Sequence, residues 1–235
     1  MFRPIYEPRT KAREYCDLAV NIYTECNHGC TYCYARKMAK RFGRPWSGEV
    51  KPRNGIVEAV TRQLAGMRGQ GKKIMLCFTC DPYPAGIDTT ATRAVIKAIK
   101  ESENHVQILT KGDETTQRDF DLLGAYDSFG VTMSAACLIR EENAALPYVR
   151  ERNLKQAHLA GIKTWVSCEP VFEPEHIFSA IRELNYVDMW RFGKLNYEKS
   201  PINWSVYAQK VEELCKSHGR NYYIKEDLRE ASWGK

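Results

Sequence analysis

Apolar residues along the chain fall into two alternating kinds of stretch. Short runs rich in β-branched side chains predict strands. These runs cover residues 18–23, 73–79, 106–110, 129–134, 164–168 and 187–192. Between several of them, apolar residues recur every three or four positions, which is the spacing of one helix face. Strands that alternate with helices predict a parallel sheet with the helices outside it.

The apolar spacing predicts helices across four stretches of the chain. They cover residues 56–67, 91–99, 154–160 and 204–214. The last of these has the clearest start, because Ser200 is a good N-cap residue and Pro201 suits the first helical position. A short strand at residues 222–224 and a small terminal helix are expected after it.

The chain length narrows the choice between parallel-sheet folds. A closed eight-unit α/β barrel typically takes about 250 residues, and this chain has 235 residues with six predicted units. We therefore predict an α/β fold, a partial (β/α)6 TIM-like barrel, with a flat doubly wound sheet as the alternative. The prediction is a single domain over residues 1–235. It comprises an N-terminal extension (1–16), a barrel core (17–197) and a C-terminal helix with a short extension (198–235).

Composition places the protein among ordinary globular chains. Hydrophobic residues make up 43% and charged residues 27% of the chain, which excludes a disordered or fibrous protein. No apolar run reaches the roughly 18–20 residues that span a bilayer, and the first residues lack the apolar region of a secretion signal. We therefore expect a cytoplasmic protein. The net charge of +6 permits nucleic acid as a partner without requiring it.

Three of the nine cysteines cluster directly after the first predicted strand. Cys26, Cys30 and Cys33 have the spacing C-x3-C-x2-C. A structural zinc site normally takes four ligands, and His28 could complete one only by a strained reach. Ferredoxin-type clusters also take four thiolates. Three thiolates can instead hold a [4Fe–4S] cluster and leave one iron open to a ligand. Gly29 would let the loop pass close around such a cluster.

The aromatic residue Tyr32 completes a C-x3-C-x-aromatic-C pattern that resembles the radical S-adenosylmethionine superfamily. Further segments are similar to the spore photoproduct lyase-like family, also called DNA repair photolyase-like proteins, over residues 17–197. They read NIYTECNHGCTYCYAR, MLCFTCDPYP, ILTKGDETTQRDFDLL, VTMSAAC, AGIKTWVSCEPV and MWRFGKLN. The resemblance implies a [4Fe–4S] cluster on Cys26, Cys30 and Cys33 that cleaves S-adenosylmethionine. The 5′-deoxyadenosyl radical then abstracts hydrogen from the substrate in a lyase-type reaction, with a nucleic acid base or nucleotide among the substrates.

The resemblance also implies residues that bind the cofactor. Lys111 and Ser134 match family positions that contact S-adenosylmethionine, and Tyr34 matches a position near its adenine. A Lys ammonium suits a carboxylate, and a Ser hydroxyl pairs with a carboxylate or ribose. Asp81, in the family's Asp-Pro pair, and Asn196 are further candidates. A solvated lysine, a strand-end cap, a core aromatic and a turn cap are the alternative interpretations.

Three residues are candidates for the catalytic chemistry. In spore photoproduct lyase a cysteine on the second strand returns a hydrogen atom, and Cys80 fits better than Cys77. The two cysteines are three residues apart and would face opposite sides of a strand. Tyr83 is a candidate radical relay or a residue that stacks on substrate, with packing in the core as the favoured alternative. Glu169 is a candidate hydrogen-bond acceptor for ribose or substrate, with Lys194 as the expected structural ion-pair partner.

A basic segment follows the cysteines and suggests a partner surface. It contains Arg36, Lys37, Lys40, Arg41, Arg44, Lys51 and Arg53, with Phe42 and Trp46 between them. Such a surface can contact phosphates and stack on bases, or dock an acidic electron donor such as flavodoxin or ferredoxin. Spore photoproduct lyase engages duplex DNA with a C-terminal hairpin, and we expect no counterpart of it after the sixth predicted unit, which puts lesion repair in duplex DNA in doubt. Modification of a peptide or small metabolite, and a non-catalytic iron–sulfur or zinc protein, are therefore alternatives.

Overall fold

The fold is built on one sheet that follows the chain order. The computed structural model describes residues 3–134, 139–196 and 198–234. Eight strands lie in the order β1 to β8; β1 is antiparallel to β2, and each later pair is parallel. The strands are β1 (Ile5–Tyr6), β2 (Leu18–Val20), β3 (Lys73–Leu76), β4 (His105–Thr110), β5 (Ser128–Thr132), β6 (Lys163–Cys168), β7 (Met189–Phe192) and β8 (Tyr222–Ile224).

Helices connect the parallel strands, as expected for repeated βα units. They are α1 (Tyr34–Arg41), α2 (Ile56–Ala65), α3 (Thr90–Glu101), α4 (Pro147–Leu159), α5 (Pro174–Glu183), α6 (Trp204–Ser217) and α7 (Glu226–Trp233). Two further segments, Thr10–Glu14 and Glu114–Leu122, form 3-10 helices. In the described ranges, no helix is both long and apolar enough to cross a membrane.

The main core lies between the outer face of the sheet and the helices. Alternate strand residues such as Leu76, Val106 and Phe129 point into it and are fully buried. The intervening residues face the inner side, where Ala19, Met75 and Trp165 form a second cluster. This division follows from the alternation of side chains along a strand. Because both faces are covered, as in α/β proteins, most strand residues are buried, including polar ones such as Gln107 and Ser167.

The inner face is filled by large side chains that include part of the N-terminal segment. Tyr15 packs against Phe78 and Trp165, with ring centres 6.2 and 6.0 Å away. The indole of Trp165 lies so close to Gly130 that a Cβ on this glycine would sit 2.4 Å from it. The guanidinium of Arg191 lies 5.5–5.7 Å from the ring centres of Tyr15, Trp165 and Tyr223 and donates to the carbonyl of Glu14.

The sequence prediction misplaces the ends of three strands and the start of the last long helix. The strands at residues 18–23, 73–79 and 129–134 end earlier than predicted, at Val20, Leu76 and Thr132. The last long helix begins at Trp204, because the side chain of Asn203 accepts a hydrogen bond from the Val206 amide. Ser200 instead accepts from the Ile202 amide in the preceding turn.

Both terminal segments contribute to the sheet. Strand β1 lies in the predicted N-terminal extension and pairs with β2; the sequence analysis did not predict it, because two residues carry no periodicity. Strand β8 confirms the expected strand at residues 222–224 and pairs in parallel with β7. The sheet therefore has seven parallel strands, one more than the six predicted units supply.

Candidate active site

The three clustered cysteines lie on the loop between β2 and α1. Cys26, Cys30 and Cys33 are free and half-buried, and Cys33 is the N-cap residue of α1. Gly29 has φ +70°, and a Cβ there would lie 3.0 Å from the Cβ of Glu142. A residue with a side chain would be strained in this conformation and crowded by its neighbour. The glycine therefore allows the loop to turn between two of the cysteines.

Two neighbouring loops fix the cysteine loop through hydrogen bonds. The side-chain amide of Asn27 donates to the Ala85 carbonyl at 2.7 Å and accepts from the Ala85 amide at 3.1 Å. On the other side, the Thr31 amide donates to the Arg140 carbonyl at 3.0 Å. The loop is thus held between the segments that follow β3 and β5.

Burial disfavours the charged forms of two of the three thiols. Burial raises the pKa of Cys26 and Cys30; the negative charge of Asp81 adds to the effect at Cys26, while Lys111 opposes it at Cys30. A bound cationic cluster would stabilise the thiolates that burial disfavours. Within the described ranges, no three His, Cys, Asp or Glu side chains are close enough to hold one ion. Cys thiolates are the usual ligands of iron–sulfur clusters, so the three cysteines fit such a cofactor by ligand type.

The ammonium group of Lys111 lies beside the cysteine loop. Its Nζ is 5.5 Å from the centre of the Tyr32 ring, and its backbone carbonyl accepts from the Ala145 amide at 2.9 Å. Among residues 3–134, 139–196 and 198–234, no carboxylate lies within 4.0 Å of this ammonium. A half-buried cation next to the cysteines is suited to an anionic ligand.

A buried carboxylate that the sequence analysis missed connects several candidate residues. Glu141 is 3% exposed; its Oε1 accepts from the hydroxyls of Tyr32 and Ser134, the latter at 2.8 Å. Its Oε2 accepts from the guanidinium of Arg150. Burial opposes ionisation, but the charges of Lys111 and Arg150 and the hydrogen bonds outweigh it and lower the pKa of Glu141. No sequence motif marks Glu141, because its role depends on contacts from distant segments.

Asp81 joins the ends of β3 and β4. Its carboxylate accepts from Thr110 Oγ1 at 2.5 Å and from the amides of Tyr83 and Lys111 at 2.9 and 3.0 Å. His28 Nδ1 lies 3.5 Å from it. These contacts position the backbone of Lys111 beside the cysteine loop. Whether Asp81 also contacts a cofactor stays a prediction.

Tyr83 and Tyr34 have hydroxyl groups that the protein itself engages. Tyr83 is 1% exposed and donates to Asp119 at 3.1 Å. Tyr34, the first residue of α1, is 40% exposed and donates to the Phe78 carbonyl. The predicted roles of Tyr83 as a radical relay and of Tyr34 near the adenine remain predictions.

The expected opposite orientation of Cys77 and Cys80 is wrong. Strand β3 ends at Leu76, and Cys77 has φ +64°, a left-handed conformation that interrupts a strand. The chain turns there, and both cysteines pack against the main core; burial, followed by the neighbouring Cys80, raises the pKa of Cys77. Asn21 supports the turn by accepting from the amides of Phe78 and Thr79 at 2.8 and 2.9 Å. The choice of Cys80 as hydrogen donor stays a prediction.

Glu169 and Asn196 lie together on another part of the rim. Glu169 accepts from the Tyr15 hydroxyl at 2.9 Å and from the Asn196 amide at 3.1 Å. Its ion-pair partner is Lys225 and not Lys194, so this prediction is wrong. Lys225 directly follows β8, and parallel pairing brings the ends of β6 and β8 to the same rim. Gly193 leaves the space, since a Cβ there would lie 2.8 Å from the Glu169 carboxyl carbon.

The predicted site residues thus form two groups. Asp81, Lys111 and Ser134 are connected to the cysteine loop through hydrogen bonds or through the Tyr32–Glu141 contact. Glu169 and Asn196 belong to a separate network that includes Lys225, Asp227 and Lys11. In that network Asn196 donates to Asp227 at 2.8 Å and accepts from Lys11 at 3.1 Å.

The sequence was compared with protein families and with curated proteins. A family described as a protein of unknown function (DUF5131) matches residues 10–228. The chain belongs to this family. An uncharacterized protein of Acidianus two-tailed virus is 31% identical over 182 residues, covering 70% of this chain and 59% of the relative. An uncharacterized protein of Methanocaldococcus jannaschii is 29% identical over 136 residues, covering 56% and 48%. The chain thus spans about half to three fifths of the length of these relatives.

Solved structures share the fold of this DUF5131 family member. A spore photoproduct lyase variant matches with a TM-score of 0.69 and 13% identity, covering 93% of this chain and 78% of that one. Another variant, with bound AdoMet and dinucleoside spore photoproduct, matches with a TM-score of 0.64 and 16% identity, covering 88% and 63%. SuiB of Streptococcus suis, bound to S-adenosylmethionine, matches with a TM-score of 0.65 and 13% identity, covering 91% and 51%. The predicted α/β fold, a partial barrel of this type, is confirmed.

Proposed function

We propose that this DUF5131 protein is a radical S-adenosylmethionine enzyme. The observation that carries the proposal is the combination of three free thiols on one loop with an adjacent ammonium that contacts no carboxylate in the described ranges. The shared fold with structures that hold AdoMet or S-adenosylmethionine supports it. When bound, a reduced [4Fe–4S] cluster supplies the low-potential electron that converts S-adenosylmethionine to a 5′-deoxyadenosyl radical, which abstracts hydrogen from the substrate.

In this proposal the residues of the cysteine side bind and orient the two cofactors. Cys26, Cys30 and Cys33 hold the cluster, and Lys111 pairs with the carboxylate of S-adenosylmethionine. Ser134, just after β5, donates its hydroxyl proton to Glu141, and its oxygen is proposed to accept a hydrogen bond from the ribose. Burial of the thiols keeps water away from the site, which strengthens each electrostatic contact there.

The other candidate residues have narrower proposed roles. Tyr34 lines the adenine side, and Asp81 places the Lys111 backbone. Cys80 is proposed as the hydrogen donor, with the buried Cys77 thiol next to it. Glu169 and Asn196 already form hydrogen bonds with other side chains of the protein. We therefore propose that a substrate contacts these two residues only at the outer edge of their network. Tyr83 is proposed as a radical relay, and its only proposed route is through Asp119, which accepts a hydrogen bond from the Tyr83 hydroxyl.

The basic surface of α1 supports a negatively charged partner. Phe42, just after α1, is 62% exposed, and the guanidinium carbons of Arg41 and Arg44 lie 6.0 and 5.9 Å from its ring centre. We propose that this surface contacts a nucleic acid substrate or an acidic electron donor such as flavodoxin or ferredoxin. The dinucleoside in a solved relative of the same fold supports the nucleic acid. Binding of DNA, RNA and flavodoxin to wild type and Phe42→Ala across salt concentrations separates these partners.

Anaerobic reconstitution tests the proposed function. We expect about four irons per chain and formation of 5′-deoxyadenosine on reduction with S-adenosylmethionine present. Replacement of Cys26, Cys30 or Cys33 by Ala should abolish both, because each removes a thiolate that holds the cluster. Cys215→Ala is the matched control, since Cys215 is buried in the main core. One zinc per chain without cofactor cleavage would instead favour the non-catalytic alternative, and cleavage without nucleic acid binding would favour a peptide or small metabolite.

A further inference from the structure

All three guanidinium nitrogens of Arg150 donate hydrogen bonds inside the protein. This residue of α4 is 3% exposed. It donates from Nε to the Ala145 carbonyl at 2.8 Å and from one terminal nitrogen to the Thr132 carbonyl at 2.9 Å. The other terminal nitrogen donates to Glu141. Each guanidinium nitrogen of Arg150 is thus engaged by the protein itself, which favours an indirect role toward a ligand of the cysteine loop.

Glu141 is placed where it could compete for Lys111. It contacts the hydroxyl of Tyr32, and the Lys111 ammonium lies over the ring of that same tyrosine. Both carboxylate oxygens of Glu141 are occupied, one by Tyr32 and Ser134 and the other by Arg150. The carboxylate of Asp81 is held by hydrogen-bond donors from the ends of β3 and β4.

We infer that Arg150 is a positioning residue that neutralises Glu141 and thereby keeps the Lys111 ammonium available to an anionic ligand at the cysteine loop. A buried carboxylate without a partner is strongly disfavoured. If Arg150 lost its charge, Glu141 would draw the flexible Lys111 side chain toward itself. The lysine would then be withdrawn from the ligand. Identification of that ligand as S-adenosylmethionine rests on the proposed function.

The first test measures binding of S-adenosylmethionine by calorimetry on the reconstituted protein. We expect Arg150→Met to weaken binding about tenfold or more, the size of a lost charge-assisted contact. The double variant Arg150→Met with Glu141→Gln should bind within about threefold of wild type, because a neutral amide no longer competes for the lysine. If Arg150 has a purely structural role, the double variant should bind S-adenosylmethionine no better than Arg150→Met alone.

Two further variants separate charge from packing. Arg150→Lys keeps a cation beside Glu141 and should bind nearly as well as wild type, although it loses bonds to the Thr132 and Ala145 carbonyls. Arg152→Met is the matched control on the same helix, because Arg152 pairs with Glu114 at the surface; it should leave binding unchanged. Thermal unfolding and iron content of every variant show whether a loss of binding comes from misfolding.

A second readout does not depend on the cofactor. Acetic anhydride labels accessible lysines, and mass spectrometry gives the rate at Lys111 in the protein without ligand. We expect slower labelling of Lys111 in Arg150→Met and recovery in the double variant. If wild type binds no S-adenosylmethionine, the proposed function fails while this readout still tests the inference. Unchanged labelling in Arg150→Met, or a double variant that is not restored, would overturn the inference.

Discussion

The two polar groups on the rim of the barrel differ in how their charges are satisfied. Around Glu169, each charged side chain contacts an opposite charge, with Lys225 on Glu169 and Lys11 on Asp227 at 2.9 Å. Around the cysteine loop, Glu141 is paired with Arg150. Lys111 there has an aromatic neighbour instead of a carboxylate within the described residues. The first group stabilises the fold by itself, whereas in the proposed function the second presents a cation and three thiols to a ligand.

This difference shows why polar residues at strand ends do not all have the same function. In an α/β barrel every strand end on this rim is near the site, so sequence position alone cannot separate binding residues from structural ones. The separation comes from contacts. A buried ion pair that is fully engaged has little left to offer a ligand, and breaking it leaves an uncompensated charge.

Disruption of the Glu169 network should have the largest effect on stability. Lys225→Met should lower the free energy of unfolding by about 3–5 kcal/mol, because it leaves the Glu169 carboxylate without its cation. Denaturation in urea measures this change. Lys216→Met is the control, since its contact with Glu212 lies at the surface and should cost less than about 0.5 kcal/mol. A similar small loss of unfolding free energy in both variants would contradict the conclusion that the Glu169 network stabilises the fold.

Substitutions beside the cysteine loop should change the binding of S-adenosylmethionine more than the free energy of unfolding. Lys111→Met should weaken S-adenosylmethionine binding by about 10–100-fold, because a charge-assisted hydrogen bond contributes roughly 1.5–3 kcal/mol. Its unfolding free energy should change little, since the ammonium contacts no carboxylate in the part of the chain described. Calorimetry and urea denaturation measure the two quantities. Lys194→Met provides the control, and equal affinity of the two variants would remove Lys111 from the site.

A pH series should reveal the smallest effect, at Asp227. Burial opposes its ionisation, but hydrogen bonds from Lys11 and Asn196 outweigh burial and lower the pKa of Asp227. A lowered pKa stabilises the folded protein above the unfolded value of about 3.9, and this contribution is lost as the pH falls through the folded value. Wild type should therefore exceed Asp227→Asn by about 1 kcal/mol at neutral pH. The gap should begin to narrow as the pH falls below about 4 when unfolding is followed from neutral pH into acid, and a constant gap would refute the assignment.

Much of the fold follows from local sequence patterns. The runs that became β3, β4, β5 and β6 are β-branched and apolar, and the helical spacing after β3 marks α3. These features depend on neighbouring residues, which the sequence contains directly. The predicted start of α6 was three residues too early. Ser200 and Asn203 are both residue types that favour the N-cap position, and the structure uses Asn203.

The candidate site was only partly predictable. The cysteine spacing identified its loop, and Lys111 and Ser134 fell near it. Glu141 and Arg150 carry no recognisable signal, because each acquires its role from a partner in another segment. The turn at Cys77 also changed the expected orientation of a thiol, since a positive φ cannot be inferred from a non-glycine residue.

The sequence by itself determined the alternation of strands and helices, the parallel sheet that follows from it, and the three thiols on one short loop. Those properties depend on the spacing of residue types along the chain, and the covalent backbone fixes that spacing. Only the tertiary structure decided which charges meet: Lys225 rather than Lys194 on Glu169, and Arg150 on Glu141. Pairing of charges depends on distances across the barrel and on burial, which strengthens the interaction between close charges and penalises an unpaired one.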